Sequence, residues 1–126
     1  SVSNCEAFQA RRLQARFKAE DNPRMPEAVA TALFRVVQEA LTNIERHSQA
    51  SEVALSLMSR AQALRLTISD NGVGFDPDAL LDQTRCGLGL SSMRERVETL
   101  GGLFSIRSGA QGTSIEIVLP AQALKT

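Results

Sequence analysis

The segment from Pro26 to His47 repeats apolar residues at helical spacing, and this pattern restricts the possible folds more than any other. Six apolar side chains form one stripe along it: Leu33, Val36, Val37, Ala40, Leu41 and Ile44. Pro26 occupies a position where a helix can begin without losing a hydrogen bond. A helix with one apolar face must bury that face against another layer. The segment therefore predicts a long helix packed on a second layer.

Alternating apolar and polar residues predict strands elsewhere in the chain. The alternating segments are 13–20, 53–57, 64–68, 103–107 and 113–119. We expect the first to be a half-buried strand. A short polar loop joins the second segment to the third, and the turn 109–112 joins the last two, so each pair predicts an antiparallel hairpin. Pro120 is expected to close the fold.

A second, shorter helix is predicted between the two hairpins. Met93, Val97 and Leu100 lie at helical spacing. Ser92 and Glu95 have the spacing of a capping box, which places the start of the helix at Ser92. The pair Gly101-Gly102 provides a stop, because glycine readily adopts the left-handed conformation that ends helices.

The predicted order is strand, helix, two strands, helix, two strands. Because hairpins predominate, we expect a mixed or mostly antiparallel sheet with both helices on one face, which is an α+β two-layer sandwich. A chain of 126 residues is sufficient for a single domain. Residues 1–24 would form a leading segment and the first strand, and residues 25–120 would form the core that carries the motifs.

Composition excludes several classes of function. Formal net charge is zero, and Trp and Tyr are absent, so neither a basic surface nor a stacking platform for nucleic acid is expected. Cys5 and Cys86, with one histidine in the chain, match no zinc site. No long apolar run is present, so we expect no membrane contact by this domain. P-loop and protein-kinase catalytic-loop motifs are also missing.

The first candidate site is the row Glu39, Asn43 and His47 on the long predicted helix. Residues four apart are neighbours on a helix, and this row runs along one edge of the apolar stripe. A carboxylate, an amide and an imidazole at the border between core and solvent could hold a hydrated magnesium ion and meet phosphate. The alternative is a solvated helix edge, with His47 near the helix C-terminus favouring the helix dipole.

Two glycine-containing segments are the other candidates. The segment 70–75, Asp-Asn-Gly-Val-Gly-Phe, follows a strand, so its backbone can approach a ligand while Asp70 accepts a hydrogen bond from an exocyclic amine. The segment 87–90, Gly-Leu-Gly-Leu, precedes a helix, whose N-terminus attracts anions. The alternatives are an ordinary Asn-Gly turn for the first and a flexible loop for the second.

Taken together in this order, the motifs resemble the Bergerat-fold (GHKL) ATPases, which include histidine kinases, type II topoisomerases and mismatch-repair proteins. The resemblance covers 25–120 and is strongest to histidine kinases of the nitrate-sensor type. Residues 38–47 are similar to the N box of that family, and residues 70–75 to its G1 box. Residues 87–90, followed by Ser-Ser-Met-Arg-Glu-Arg-Val, resemble its G2 box and the helix after it. Gly112-Thr113 resembles the closing Gly-Thr motif.

The resemblance implies roles for residues near the phosphates. Asn43 would coordinate the magnesium that bridges the phosphates, and Glu39 would orient a water or assist at the γ-phosphate. These two residues are the expected catalytic pair. Arg46 and His47 would face the phosphates, with Arg46 where the family commonly has lysine.

The resemblance also implies a base pocket and a short lid at about 76–88. Asp70 would accept the adenine amine, Gly72 and Gly74 would shape the pocket, and Thr113 would support the adenine end. The lid and the helix start would contribute ATP contacts from Arg85, Gly87, Leu88, Gly89 and Leu90. Arg85-Cys86 departs from the Gly or His pair that the family often has there, although Arg85 could itself meet phosphate.

The function implied is the ATP-binding catalytic domain of a bacterial two-component sensor histidine kinase. It would use ATP and Mg²⁺ and present the γ-phosphate to a histidine on a separate phosphoacceptor dimerisation domain, for relay to a response regulator. The domain would be cytoplasmic, in a parent protein that could be anchored in the inner membrane. One alternative is an anti-sigma factor and serine kinase of the same fold. Another is a degenerate module that binds a partner without ATP.

Overall fold

The described residues form a mixed sheet of five strands, which is one layer of the molecule. The computed structural model describes residues 14–19, 25–73 and 90–124, apart from the side chains of His47 and Ser48. The strands are β1 (Gln14–Ala19), β2 (Glu52–Arg60), β3 (Ala63–Asp70), β4 (Leu103–Gly109) and β5 (Gly112–Leu119). Their order is β1-β2-β3-β5-β4, with β1 parallel to β2 and the other three pairs antiparallel. Both predicted hairpins and the mixed sheet are confirmed.

Two helices of the described segments form the other layer. Helix α1 (Glu27–Asn43) begins after Pro26 and continues into a π-helical turn (Ile44–Ser48), so the predicted helix is confirmed with a wider final turn. Helix α2 (Leu90–Thr99) lies between the hairpins, and a 3-10 turn (Ala121–Leu124) follows β5. Both helices lie on one face of the sheet, which confirms the two-layer α+β fold.

The hydrophobic core lies between the helices and the central strands. Alternate residues of β3 and β5 point toward the helices, because successive side chains of a strand face opposite sides of the sheet. The most deeply buried are Leu64, Ile68, Ile117 and Leu119, each at most 1% exposed. Burying a side chain of this size contributes about 1.5–3 kcal/mol, so these two strands anchor the fold.

The prediction that the first strand is half-buried is wrong, because all six residues of β1 are exposed. Ala15, Phe17 and Ala19 pair with Val53, Leu55 and Leu57 of β2 and therefore share the helix-facing side. Phe17 is nevertheless 66% exposed. The physical reason is position: β1 is an edge strand, and the helices pack over the inner strands.

Helix α2 ends as predicted but begins earlier. The N–H of Gly102 donates to the carbonyl of Val97 at 3.0 Å, and that of Gly101 donates to the carbonyl of Glu98 at 2.9 Å. With φ +84° at Gly101, this is a Schellman motif. Ser92 is not the N-cap, because the backbone is already helical at Leu90. The capping-box prediction is therefore wrong.

The topology gathers the candidate motifs at one end of the sheet, called here the site end. β2 begins there, β3 finishes there at Asp70, and the β4–β5 turn lies beside it. Only residues 49–51 separate the π-helical turn from β2, so the C-terminal part of α1 cannot be far away. Helix α2 leads directly into β4 at the opposite end, which directs its N-terminus toward the site end. No helix among the described segments is long and apolar enough to cross a membrane.

Candidate functional site

Asp70 is the last residue of β3, and its carboxylate lies on the helix-facing side of the sheet. The alternation that buries Leu64, Leu66 and Ile68 also turns Asp70 inward, and this residue is only 9% exposed. Its Oδ1 accepts a hydrogen bond from the N–H of Gly72 at 2.7 Å. Oδ2 is buried and has no hydrogen-bond partner within the described part of the chain. Such an oxygen is costly unless a ligand donates to it.

Burial sets the protonation behaviour of this carboxyl group. Desolvation raises the pKa of Asp70 above its ordinary value, because the charged form loses its water. The backbone N–H groups of Gly72 and Thr113 oppose this by favouring the ionised carboxylate. A ligand that donates a hydrogen bond to Oδ2 would likewise favour the ionised carboxylate and lower the pKa of Asp70.

Gly112 allows β5 to begin in contact with the end of β3. Its φ is +129°, a conformation that residues with a Cβ rarely adopt. A Cβ at this position would also collide with the carbonyl oxygen of Asp70. Glycine is therefore required here on two counts, and its absence of a side chain fixes how closely the β4–β5 turn approaches Asp70.

Thr113 follows directly and lies beside Asp70, as the predicted base pocket requires. It is 4% exposed, and its hydroxyl lies 2.8 Å from the Oγ of Ser108, its partner across the hairpin. Ser108 was not among the residues singled out from the sequence. A two-residue turn at 110–111 pairs Gly109 with Gly112 and therefore Ser108 with Thr113. The predicted hairpin thus already indicated this contact.

Asn71 was also missed as a site residue, although it makes four hydrogen bonds. Its Oδ1 accepts from the N–H groups of Ser51 and Glu52, both at 3.0 Å, and its Nδ2 donates to the Ser51 Oγ at 3.0 Å. Its own N–H donates to the carbonyl of Glu52 at 3.2 Å. We call Asn71 with Ser51 and Glu52 the Asn71 clasp. The Asn-Gly dipeptide indicated only a turn, and these tertiary partners left no local signal.

The helix row differs from its prediction at one position. Glu39 is half-buried, as expected for the border between core and solvent, whereas Asn43 is only 6% exposed. Asn43 follows Val36 by seven residues and Ala40 by three, and those helical spacings place it within the buried stripe. The prediction that Asn43 lies at the edge of the stripe is therefore wrong. Asn43 is a polar member of the buried face, at the point where α1 changes to the π-helical turn.

The π-helical turn carries the basic pair of the predicted N box. Arg46 is exposed, and the backbone of His47 lies in the same turn while its side chain is outside the described set. An inserted residue in a helical turn changes the direction of the side chains that follow, and such turns are frequent at functional sites. The change of helix type therefore coincides with the segment expected to face phosphate.

The predicted lid, about 76–88, lies wholly outside the described residues, and with it Arg85, Gly87 and Leu88. Gly74 and Gly89 also lie outside them. Leu90 is the first described residue of α2, and its side chain belongs to the hydrophobic core. Any contact between Leu90 and a ligand would consequently involve its backbone rather than its side chain.

Comparison with known proteins identifies the family. Residues 28–123 match the histidine kinase-, DNA gyrase B- and HSP90-like ATPases. Sensor histidine kinase MctS of Rhizobium johnstonii is 45% identical over 93 residues, which cover 74% of this chain and 20% of MctS. Sensor histidine kinase LiaS of Bacillus subtilis is 43% identical over 96 residues, which cover 75% of this chain and 26% of LiaS.

The fold is also shared with solved histidine kinases. Histidine kinase AdeS of Acinetobacter baumannii superposes with a TM-score of 0.74 at 20% identity, over 87% of this chain and 55% of that one. The chain spans about a fifth to a quarter of the length of the two curated relatives. These relatives favour the histidine kinases over the anti-sigma factors. The chain therefore belongs to the histidine kinase-, DNA gyrase B- and HSP90-like ATPase family, with the fold of the ATP-binding catalytic domain of sensor histidine kinases.

Proposed function

We propose that this domain binds Mg-ATP and presents the γ-phosphate to a histidine on a phosphoacceptor dimerisation domain of the same parent protein. The phosphoryl group would then pass to a response regulator. The observation that carries the proposal is the buried Oδ2 of Asp70, which has no hydrogen-bond partner within the described residues. An adenine exocyclic amine is a donor of suitable chemistry for a carboxylate oxygen held in this position.

The base would occupy the space beside Asp70. With Oδ1 held by the N–H of Gly72, Oδ2 is left as the acceptor for the base amine. Gly72 and Gly74 would let the backbone approach the purine ring, and Thr113 would support its far side. Gly112 supports this arrangement indirectly, because it brings the start of β5 against the backbone of Asp70.

The triphosphate would extend toward the C-terminal part of α1. Asn43 would hold Mg²⁺, Glu39 would orient a water or assist at the γ-phosphate, and Arg46 and His47 would meet phosphate oxygens. No group of three or more acidic, His or Cys side chains in the described ranges could hold a metal ion alone. The phosphates and water would therefore supply most ligands of the ion, as Mg²⁺ commonly requires. When bound, Mg²⁺ would neutralise charge on the phosphates.

The lid and the parent protein complete the proposal. Arg85, Gly87, Leu88, Gly89 and the backbone of Leu90 would close over the phosphates. Within the sensor kinases, we assign the chain to the nitrate-sensor-like group, on the motifs at 70–75 and 87–97. The domain would be cytoplasmic, and its parent would be anchored in the inner membrane.

Isothermal titration with ATP and Mg²⁺ tests the base contact. Asp70→Asn should weaken binding by roughly tenfold or more, because a hydrogen bond to a charged group is lost. Glu116→Gln is the matched control, since it makes the same charge change on the opposite face of the sheet, and it should bind like wild type. Equal binding by Asp70→Asn and wild type would show that Asp70 is not the base contact.

Phosphotransfer to a supplied phosphoacceptor domain tests the phosphate side. Asn43→Ala should abolish Mg²⁺-dependent transfer, while the base contact at Asp70 remains available. The measurement is the rate at which radiolabelled phosphate appears on the acceptor histidine. Undiminished transfer by a folded Asn43→Ala variant would contradict the role given to Asn43.

A further inference from the structure

We infer that Asn71 is a positioning residue that sets the selectivity of the domain for adenine by holding the carboxylate of Asp70 in one orientation. This inference rests on the proposed function, because it needs Asp70 to be the base contact. Asn71 itself touches no base in this arrangement. It acts through its neighbours on either side, Asp70 and Gly72.

The Asn71 clasp extends across the starts of two strands. The Asn71 side chain satisfies two backbone N–H groups and one hydroxyl at the start of β2. The carbonyl of Ser51, within the same clasp, accepts from the N–H of Gln14 at 3.0 Å. The amide side chain thus joins the end of β3 to the start of β2, and the Ser51 carbonyl in turn joins the start of β2 to the start of β1. An amide is suited to this task because it carries both acceptor and donor atoms.

The backbone of Gly72 links the clasp to the carboxylate of Asp70. The N–H of Gly72 is the group that holds Asp70 Oδ1, at 2.7 Å. Asn71 lies between these two residues, so fixing its backbone and side chain fixes the direction of that N–H. With Oδ1 held, Oδ2 can point in only one direction. Releasing the clasp would let the Gly72 N–H move and would free the carboxylate to rotate.

Orientation of Asp70 by Asn71 and simple support of strand pairing have different consequences for nucleotide binding. If Asn71 merely stabilised the sheet, its loss would lower stability and weaken all nucleotides alike. If it orients Asp70, its loss must weaken ATP more than ITP, because ITP lacks the exocyclic amine at the position that Oδ2 would contact. The ratio of the two affinities therefore distinguishes positioning from support.

The test is isothermal titration of the 126-residue chain with Mg-ATP and with Mg-ITP at pH 8. Wild type should prefer ATP by on the order of tenfold to a hundredfold, as expected for a hydrogen bond to a charged group. Asn71→Ala should reduce this preference at least fivefold. Asn71→Asp keeps an acceptor for the two backbone N–H groups, and its added charge acts on both triphosphates equally. The preference of Asn71→Asp for ATP over ITP should therefore stay within about threefold of the wild-type preference.

Ile117→Val is the stability control, since it trims the core within β5 without touching the clasp. It should lower the melting temperature and leave the ATP-to-ITP ratio unchanged. An unchanged ratio in Asn71→Ala, with wild type still discriminating, would overturn the inference. Absence of discrimination in wild type would instead overturn the proposed base contact. If Asn71→Ala does not fold, Ser51→Ala is the variant to measure, because it removes only the hydrogen bond from Asn71 Nδ2. Ser51→Ala should reduce the ATP-to-ITP ratio by a smaller factor than Asn71→Ala. An unchanged ratio in Ser51→Ala would also contradict the inference.

Discussion

The two hairpins of the sheet contain the same dipeptide in their turns and use it in different ways. At the end remote from the site, Ala61 and Gln62 join β2 to β3 with φ of +52° and +68°. At the site end, Ala110 and Gln111 join β4 to β5, and neither has a positive φ. The positive φ there, +129°, falls on Gly112.

This difference shows that the dipeptide does not determine the turn. The remote turn has positive φ at both central residues, as in the turn type that follows the twist of the strands, although glycine and asparagine are the residues suited to it. The turn at the site end is constrained by its neighbour, because Gly112 lies against the backbone of Asp70. One hairpin tolerates unfavourable residues in open surroundings, whereas the other requires glycine to bring two strands together at the buried carboxylate of Asp70.

Replacing Gly112 by alanine is the most direct test of the difference between the two turns. Gly112→Ala should destabilise the domain by at least about 3 kcal/mol, through the disfavoured φ together with the collision against Asp70. Nucleotide binding should fall as well, because Asp70 must shift. Urea denaturation and titration with Mg-ATP measure the two effects.

Gly109→Ala is its control in the same turn. A Cβ there would meet nothing within 4 Å, so its effect should stay within about 0.5 kcal/mol. Similar free energies of unfolding for the two variants would mean that the turn is not constrained by Asp70.

Replacing the Ala-Gln dipeptide of each turn by Asn-Gly tests the two turns with the same substitution. Asn-Gly placed at Ala61-Gln62 should raise the free energy of unfolding by about 1 kcal/mol, because both residues adopt positive φ readily. The same pair at Ala110-Gln111 should lower it by roughly 0.5–1 kcal/mol, because glycine adds freedom to the unfolded chain. Denaturant titration of the two double variants gives the result. Effects of the same sign would refute the distinction between the turns.

The smallest expected effect is the change with pH that Asp70 contributes to the free energy of unfolding. The pKa of Asp70 is raised in the folded protein, so the folded state holds a proton over a pH range in which the unfolded state has lost it. Stability therefore declines as pH rises from the ordinary value of 3.8 through the raised value. Asp70→Asn removes this decline, so its stability relative to wild type should increase across that window and then level off. Urea denaturation between pH 3 and 7 would show this, and a relative decrease would contradict the assigned direction.

Periodicity was sufficient to predict the parts of the fold that depend on one element or on neighbours in the chain. The stripe of α1, the two hairpins and the Gly101-Gly102 stop were all correct, because each depends on local spacing. Asp70 and Thr113 were placed together because the order of motifs matched a known family. Their roles toward ATP, like those of Glu39 and Asn43, remain proposals.

Features that depend on distant parts of the chain were not predicted. The exposure of β1 depends on where the helices end across the sheet, and the burial of Asn43 depends on which part of the stripe meets the core. The partners of Asn71 are about 20 residues away in sequence. Nothing in the dipeptide Asn-Gly distinguishes a turn that stands alone from one that is tied to another strand.

The edge position of β1 bears on the association of one copy of the chain with another. Within the part of the chain that the structure describes, β1 is an edge strand, and an edge strand exposes backbone N–H and C=O groups to which another strand can pair. The exposed side chain of Phe17 adds an apolar contact there. Arg16 and Lys18 flank Phe17 on the opposite face of the strand, where Arg16 lies 3.4 Å from Glu52. Long cationic side chains along such an edge oppose the approach of an identical strand, whose own arginine and lysine would be repelled. We therefore expect these charges to oppose pairing between two such edges, and to oppose it less as salt screens them.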